Sequence, residues 1–117
     1  MTSRPPYPIT FPTQLRDALS HLKKLTGNDF PMQQLLVLLD IAANPDTSSG
    51  EVAKRLDMTS TSASRAVAAL SSFSWTKKSG YGLVSKTEDL MEGRRKNLKL
   101  TPEGENIVAS MYFPFSS

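Results

Sequence analysis

The chain contains no cysteine and a single histidine, and these absences exclude several kinds of site. Without thiols there is no disulfide framework, no thiolate zinc site and no cysteine-based redox sensing. His21 alone cannot build a metal cluster, so we expect no metal and no cofactor. No apolar run approaches the roughly 20 residues that span a bilayer, and the N-terminus lacks the basic start and apolar stretch of a secretory signal. We therefore expect a cytoplasmic protein.

At 117 residues the chain is the size of one domain. Four of its eight prolines lie within the first twelve residues, which predicts an extended arm over residues 1–12. We expect the folded domain to cover residues 13–112 and an apolar tail to follow over residues 113–117. A domain this small has little room for a catalytic core together with a regulatory unit.

Positive charge is concentrated in one part of the sequence. Residues 59–99 hold eight basic and three acidic side chains, a net charge of +5, whereas the remainder of the chain carries −2. Such segregation favours a face that meets a polyanion such as nucleic acid. A basic surface that is merely solvated remains the alternative.

Three amphipathic helices are predicted in the first half of the chain. Thr13 is placed as an N-cap, and apolar residues recur at helical spacing until Gly27 stops the run. Pro31 suits the first turn of a second helix, MQQLLVLLDIAA, which is apolar on more than one face and should be buried. Ser48 and Glu51 have the spacing of a capping box and predict the start of a short third helix.

A fourth helix, rich in hydroxyls, is predicted to begin after Thr59 as its N-cap, with Met58 packing back on it. A merely solvated helix would typically use Glu, Lys and Gln on its polar side. Short hydroxyls with one Arg and one small Ala favour instead a helix that enters a DNA groove. The apolar side holds Ala63, Ala66, Val67 and Leu70, and the opposite side holds Thr61, Ser64, Arg65 and Ala68.

The second half of the chain predicts a β-hairpin followed by a last helix. Two short alternating segments, Gly82 to Lys86 and Lys96 to Leu100, flank a polar loop. Thr101 then caps a helix that carries Pro102 in its first turn. The last three of these four helices end with the hydroxyl-rich one and are followed by a basic hairpin and a further helix. This is the order of a winged helix-turn-helix. The predicted fold class is therefore mainly α with a small β-hairpin wing.

Two segments resemble the MarR family of bacterial transcription regulators. Ser48 to Leu70, SSGEVAKRLDMTSTSASRAVAAL, is similar to the paired helices of that family's helix-turn-helix. Gly82 to Gly104, GLVSKTEDLMEGRRKNLKLTPEG, is similar without a gap to its wing and the Leu-Thr-Pro-x-Gly that follows. The resemblance implies a protein that binds duplex DNA, with Arg94 reaching into the minor groove. The chain ends where the family usually has a long dimerisation helix, so we expect no functional small-molecule pocket of the family type.

These patterns together predict the DNA-binding residues. We expect Arg65 to read base edges in the major groove, because a guanidinium donates two hydrogen bonds to guanine. Weaker phosphate candidates are Lys54, Lys77 and Lys78. The hydroxyls expected to contact phosphates and base edges are Ser60, Thr61, Ser62 and Ser64, and the wing residues are Lys86, Arg94, Arg95 and Lys96.

The prediction is a homodimeric transcription regulator, a repressor, assembled through its first helix, its last helix and the segment MYFPF. A winged-helix adaptor that docks on another protein is the alternative from a different class. A replication or partition protein of a mobile element shares the same DNA chemistry. We expect no enzyme: SWTK and KSG mimic serine β-lactamase motifs but abut in a chain too short for that fold.

Overall fold

Helices and one antiparallel hairpin follow one another in the computed structural model, which describes residues 6–27, 30–71, 81–88 and 96–115. Their order is the one predicted for a winged helix-turn-helix. In this part of the chain the helices are α1 (Phe11–Thr26), α2 (Met32–Ala43), α3 (Ser49–Arg55), α4 (Ser60–Leu70) and α5 (Pro102–Tyr112), with strands β1 (Val84–Glu88) and β2 (Lys96–Leu100) between α4 and α5 and a final 3-10 turn at Phe113–Phe115.

Helix α1 begins earlier than predicted. Its first residue is Phe11 and its N-cap is Thr10, so Thr13 is an internal residue and not the cap. The prediction of an extended arm through residue 12 was wrong for its last two residues. Pro12 is compatible with the helix because an N–H in the first turn has no helical partner to lose. The predicted stop is confirmed, since Gly27 ends α1 with a left-handed φ of 76°.

Helix α2 forms the centre of the core, as its apolar pattern predicted. It packs against α3, α4, α5 and β2, and Val37 and Leu38 are completely buried. Helix α3 begins with the predicted capping box. The backbone N–H of Ser48 donates to Glu51 Oε1 at 2.9 Å, and the N–H of Glu51 donates to Ser48 Oγ at 3.2 Å. Two otherwise unpaired donors at the start of α3 are thereby satisfied.

The hairpin is paired in antiparallel register, with Val84 opposite Leu100 and Lys86 opposite Leu98. Strand β2 has its predicted bounds, whereas β1 begins two residues later than the predicted Gly82. Gly82 has a left-handed φ of 71°, which is incompatible with a strand. A bridge between Leu98 and Thr47 attaches the loop between α2 and α3 to the free side of β2.

Thr101 and Gly104 fix the start of α5 against the hairpin. Thr101 Oγ1 accepts the N–H of Gly104 at 3.1 Å, which confirms the predicted cap, and its hydroxyl donates to the carbonyl of Gly82 at 2.6 Å. A Cβ on Gly104 would lie 3.1 Å from the carbonyl carbon of Leu83 and closer still to its oxygen. The Thr-Pro-x-Gly sequence therefore lets α5 begin in direct contact with the chain that enters β1.

Helix α5 and the 3-10 turn pack on α1. The rings of Phe11 and Phe115 lie 6.4 Å apart between centroids, so part of the tail covers α1, while Tyr112 and Phe113 stay largely exposed. Among the described residues, no helix is long and apolar enough to cross a membrane. Within the same ranges, no three His, Cys, Asp or Glu side chains are grouped so as to hold a metal ion.

Candidate nucleic-acid interface

Helix α4 turns its hydroxyl-rich side toward solvent. Thr59 Oγ1 accepts the backbone N–H of Ser62 at 3.0 Å, which confirms Thr59 as the cap. Ser62 itself is half-buried. One hydroxyl therefore accounts for the cap, and the others are available to a partner. The apolar side is buried as predicted, with Ala63, Ala66, Val67 and Leu70, while Ser60, Thr61, Ser64, Arg65 and Ala68 are exposed.

The turn between α3 and α4 sets the direction in which α4 leaves the core. Asp57 has a left-handed φ of 54°, and its N–H donates to the carbonyl of Lys54 at 3.4 Å. The N–H of Met58 donates to the carbonyl of Ala53 at 2.8 Å. This pair of bonds is a Schellman motif, which satisfies carbonyls at the end of α3 and reverses the chain tightly. Helices α3 and α4 then pack on each other and form the helix-turn-helix.

The exposed cations of this half of the molecule differ in their ion pairs. Arg55 is bound to Asp40 and Lys99 lies 3.4 Å from Asp46. In residues 6–27, 30–71, 81–88 and 96–115, no acidic side chain forms an ion pair with Arg65. Arg65 is exposed, so its guanidinium donors are available to acceptors on a partner. Lys54 and Lys86 are likewise exposed and form no ion pair within the described part of the chain.

The hairpin is tied directly to the end of α4. The N–H of Leu83 donates to the carbonyl of Leu70 at 2.7 Å, and the N–H of Tyr81 donates to Ala69 at 3.0 Å. The ring of Tyr81 also packs on Phe30, with 4.7 Å between centroids, so this aromatic belongs to the core rather than to a stacking surface. These contacts fix where the wing leaves the domain relative to the exposed side of α4.

Several predicted contact residues lie outside the described residues. Arg94 and Arg95 belong to this group, as do the weaker candidates Lys77 and Lys78. For Lys96 the structure describes only the backbone, which pairs in β2. The described part of the predicted interface therefore consists of the exposed side of α4, Lys54 on α3 and Lys86 on β1.

Arg55 is the residue of this region that sequence reasoning missed. Its Nε and Nη2 donate to the carboxylate of Asp40 at 2.8 to 3.1 Å, and Nη2 also donates to Thr47 Oγ1. The hydrogen bond to Asp40 raises the pKa of Arg55 above its ordinary value, although desolvation opposes this. Asp40 and Arg55 lie on different helices, 15 residues apart. No local spacing could have paired them.

The same arrangement of elements occurs in solved complexes with DNA. An S. aureus MepR variant bound to an oligodeoxyribonucleotide matches with a TM-score of 0.67 at 24% identity, over 90% of this chain and 70% of that chain. The transcriptional repressor CouR bound to a 23-mer duplex matches with a TM-score of 0.65 at 22% identity, over 92% and 68%. FabT of Streptococcus pneumoniae in complex with DNA gives 0.62 at 21% identity, over 83% and 62%.

This chain has the winged helix-turn-helix fold of the MarR-family transcription regulators, as the sequence resemblance predicted. It spans between 62% and 70% of the length of these three solved chains. No protein-family model and no curated protein matches the sequence. The likeness to solved structures concerns the fold.

Proposed function

We propose that the protein binds duplex DNA and regulates transcription as a repressor, with α4 in the major groove and the hairpin wing at the minor groove. The observation that carries the proposal is the exposed side of α4. It presents short hydroxyls, a small Ala68 and an Arg65 that no described acid neutralises. Small side chains let the helix backbone approach a groove closely, and the guanidinium supplies base readout.

Three further observations support this proposal. The net charge of +5 over residues 59–99 favours attraction to phosphate. MepR, CouR and FabT, which share the fold, are each solved with DNA. The hydrogen bonds from Leu83 and Tyr81 to the end of α4 hold wing and helix in a fixed relation. A fixed relation is what simultaneous contact with two grooves requires.

Different roles are proposed for the basic residues. Arg65 reads a base edge, a contact worth about 1 to 3 kcal/mol of discrimination. Arg94, which falls between β1 and β2 in the sequence, is proposed to enter the minor groove, where there is negative potential but little sequence code. The remaining wing residues Lys86, Arg95 and Lys96 contact phosphates. The hydroxyls Ser60, Thr61, Ser62 and Ser64 contact phosphates and base edges.

The test is a selection of bound sequences from a random duplex pool, followed by binding isotherms over a salt series on the selected and a scrambled site. We expect Arg65→Ala to weaken the selected site much more than the scrambled one. Arg94→Ala should weaken both and flatten the slope of log K against log salt by about 0.9 for each phosphate that the variant no longer neutralises. Lys24→Ala is the control with the same loss of charge, because Lys24 is exposed in the last turn of α1.

Three results would contradict these assignments. Equal weakening on both duplexes for Arg65→Ala removes its role in base readout. An unchanged salt slope for Arg94→Ala contradicts the role proposed for Arg94 in the minor groove. Absence of any binding to random duplex at low salt contradicts the proposal as a whole and favours the protein-interaction adaptor.

We also propose that the protein is a homodimer assembled through α1, α5 and the apolar tail. Leu15 and Leu19 on α1 are 40% and 38% exposed, and with Tyr7 and Phe11 they line an apolar groove of about 580 Å³. On α5, Tyr112 is also largely exposed. A two-fold dimer would read half-sites about 10 bp apart, one helical turn of DNA.

Sedimentation tests the dimer. Leu15→Glu should give a monomer, because the change places a charge in the proposed interface. Leu36→Glu is the control: Leu36 is 45% exposed but lies on α2. A wild-type monomer at micromolar concentration, both free and on DNA, would contradict the proposal.

A further inference from the structure

Arg55 connects two helices through a forked contact. It is the last residue of α3, and its Nε lies 3.0 and 3.1 Å from the two carboxylate oxygens of Asp40 on α2. Its Nη2 lies 2.8 Å from one of the same oxygens. The Asp40 side chain is only 10% exposed. A carboxylate that binds a planar guanidinium at two points holds it in one orientation. An ammonium group in the same place would not be held in a single orientation.

The same guanidinium also contacts the loop between α2 and α3, which pairs with strand β2 of the wing. Nη2 donates to the hydroxyl of Thr47, a residue that is 4% exposed. The Thr47 hydroxyl in turn lies 3.4 Å from Glu51 Oε1, so it both accepts and donates. The backbone carbonyl of Thr47 accepts the N–H of Leu98 in β2 at 2.7 Å, and the N–H of Asp46 donates to the Leu98 carbonyl at 3.0 Å.

Arg55 thus stands between the two parts of the proposed interface. On one side, the left-handed Asp57 follows two residues later and directs the chain into α4. On the other side, Thr47 pairs with β2, the second strand of the wing. A change in the orientation of Arg55 would displace the Thr47 loop relative to α3. Strand β2, which pairs with this loop, would move with it.

We propose that Arg55, held by Asp40, is a positioning residue for DNA binding that fixes the wing relative to α4 through Thr47 without contacting DNA. The inference rests on the proposed function and names a residue outside the contact set. Its rival is a direct phosphate contact by Arg55, which its partly exposed side chain would permit. The two roles differ in what Asp40 does.

Asp40→Asn separates the two roles. Removing a negative charge makes the protein more basic, so electrostatics alone predicts tighter DNA binding. The positioning role predicts the reverse, a decrease in affinity of about fivefold on the selected site. Asp17→Asn is the matched control with the same change in charge, since Asp17 is paired with Arg16 on α1. It should bind DNA as tightly as the wild type or slightly more tightly.

Arg55→Lys gives a second comparison in the same assay. A direct phosphate interaction survives this substitution because the charge is kept, and the salt slope falls only if fewer phosphates are neutralised. The positioning role predicts a decrease in affinity similar to that of Asp40→Asn with an unchanged salt slope, because the number of phosphates neutralised stays the same.

The position of the wing is measured without DNA from the amide resonances of Leu98 and Asp46 in the free protein. Thr47→Val removes the hydroxyl and should shift both resonances, as should Asp40→Asn. Thr47→Ser keeps the hydroxyl and should restore both the wild-type shifts and the wild-type affinity. A merely stabilising role would lower the melting temperature in these variants without moving the two amides or changing the affinity of the folded protein.

The outcomes are distinct. If the wild type binds DNA and Asp40→Asn binds it equally or more tightly, the positioning role of Arg55 is overturned and the proposed function is not. Unshifted Leu98 and Asp46 amides in folded Thr47→Val overturn it as well. A wild type that binds no duplex at low salt overturns the proposed function and, with it, the role of Arg55 in DNA binding. If Asp40→Asn does not fold at the assay temperature, Thr47→Val carries both the affinity and the resonance measurements.

Discussion

Replacing Gly104 by Ala tests the contact by which α5 begins against the hairpin. The added Cβ would lie 3.1 Å from the carbonyl carbon of Leu83 and 3.3 Å from Cβ of Leu100, and closer still to the Leu83 oxygen. Most of what it meets is backbone, which cannot turn away as a side chain can. The Leu83 oxygen also accepts the N–H of Thr101 at 2.9 Å, so displacing it strains a second interaction.

The magnitude follows from two opposing effects. Overpacking against a fixed neighbour typically costs about 1 to 3 kcal/mol, and backbone neighbours place this position at the upper end. Alanine recovers roughly 0.5 to 1 kcal/mol relative to glycine within a helix. We therefore expect Gly104→Ala to lower the free energy of unfolding by about 2 kcal/mol. For a domain of this size that is a fall in melting temperature of roughly 8 to 10 °C.

Urea unfolding followed by circular dichroism measures the change, with Gly50→Ala as the control. A Cβ on Gly50 would find its nearest neighbour, Ser48 Oγ, at 3.9 Å, which is ordinary van der Waals distance. Gly50 is exposed in the first turn of α3, so alanine should leave the stability unchanged or raise it by up to about 1 kcal/mol. If Gly104→Ala proves as stable as Gly50→Ala, the reasoning from close approach is refuted.

Substitutions at three further positions test the turn and the helix caps. Asp57→Val should lower the free energy of unfolding by about 1 to 2 kcal/mol, because a β-branched residue must then adopt a left-handed φ. Asp57→Gly should be close to neutral. Equal stabilities of the two variants in urea would contradict this. Thr59→Ala should cost about 1 kcal/mol because the bond to the Ser62 N–H is removed, and Thr59→Ser should cost less. Thr101→Val removes both an accepted and a donated bond and should cost about 2 kcal/mol; a melting curve like that of Thr101→Ser would argue against it.

Apart from Ser62, which is half-buried, the described side chains of the candidate interface have the exposure that the sequence predicted. The exposed position of Arg65 on α4 follows from a period of about 100° per residue, which separates it from the buried Ala66 and Val67. The roles of Arg65 and of the hydroxyls remain predictions. Which apolar residues of α1 stay exposed was not predictable from the sequence. Helical spacing places Leu15, Leu19 and Leu22 on one side of the helix, but it does not say which of them the neighbouring helices cover.

The sequence by itself determined the order of the elements and most of their ends. Caps at Ser48, Thr59 and Thr101 are interactions with a backbone group three residues away, so local sequence is sufficient to predict them. Tertiary structure alone decided the pairing of Arg55 with Asp40, which joins groups 15 residues apart on separate helices. The requirement for glycine at position 104 is also tertiary, since the packing of α5 against Leu83 leaves no space there for a side chain. Contacts between distant segments depend on how the helices pack, and local periodicity carries no information about that arrangement.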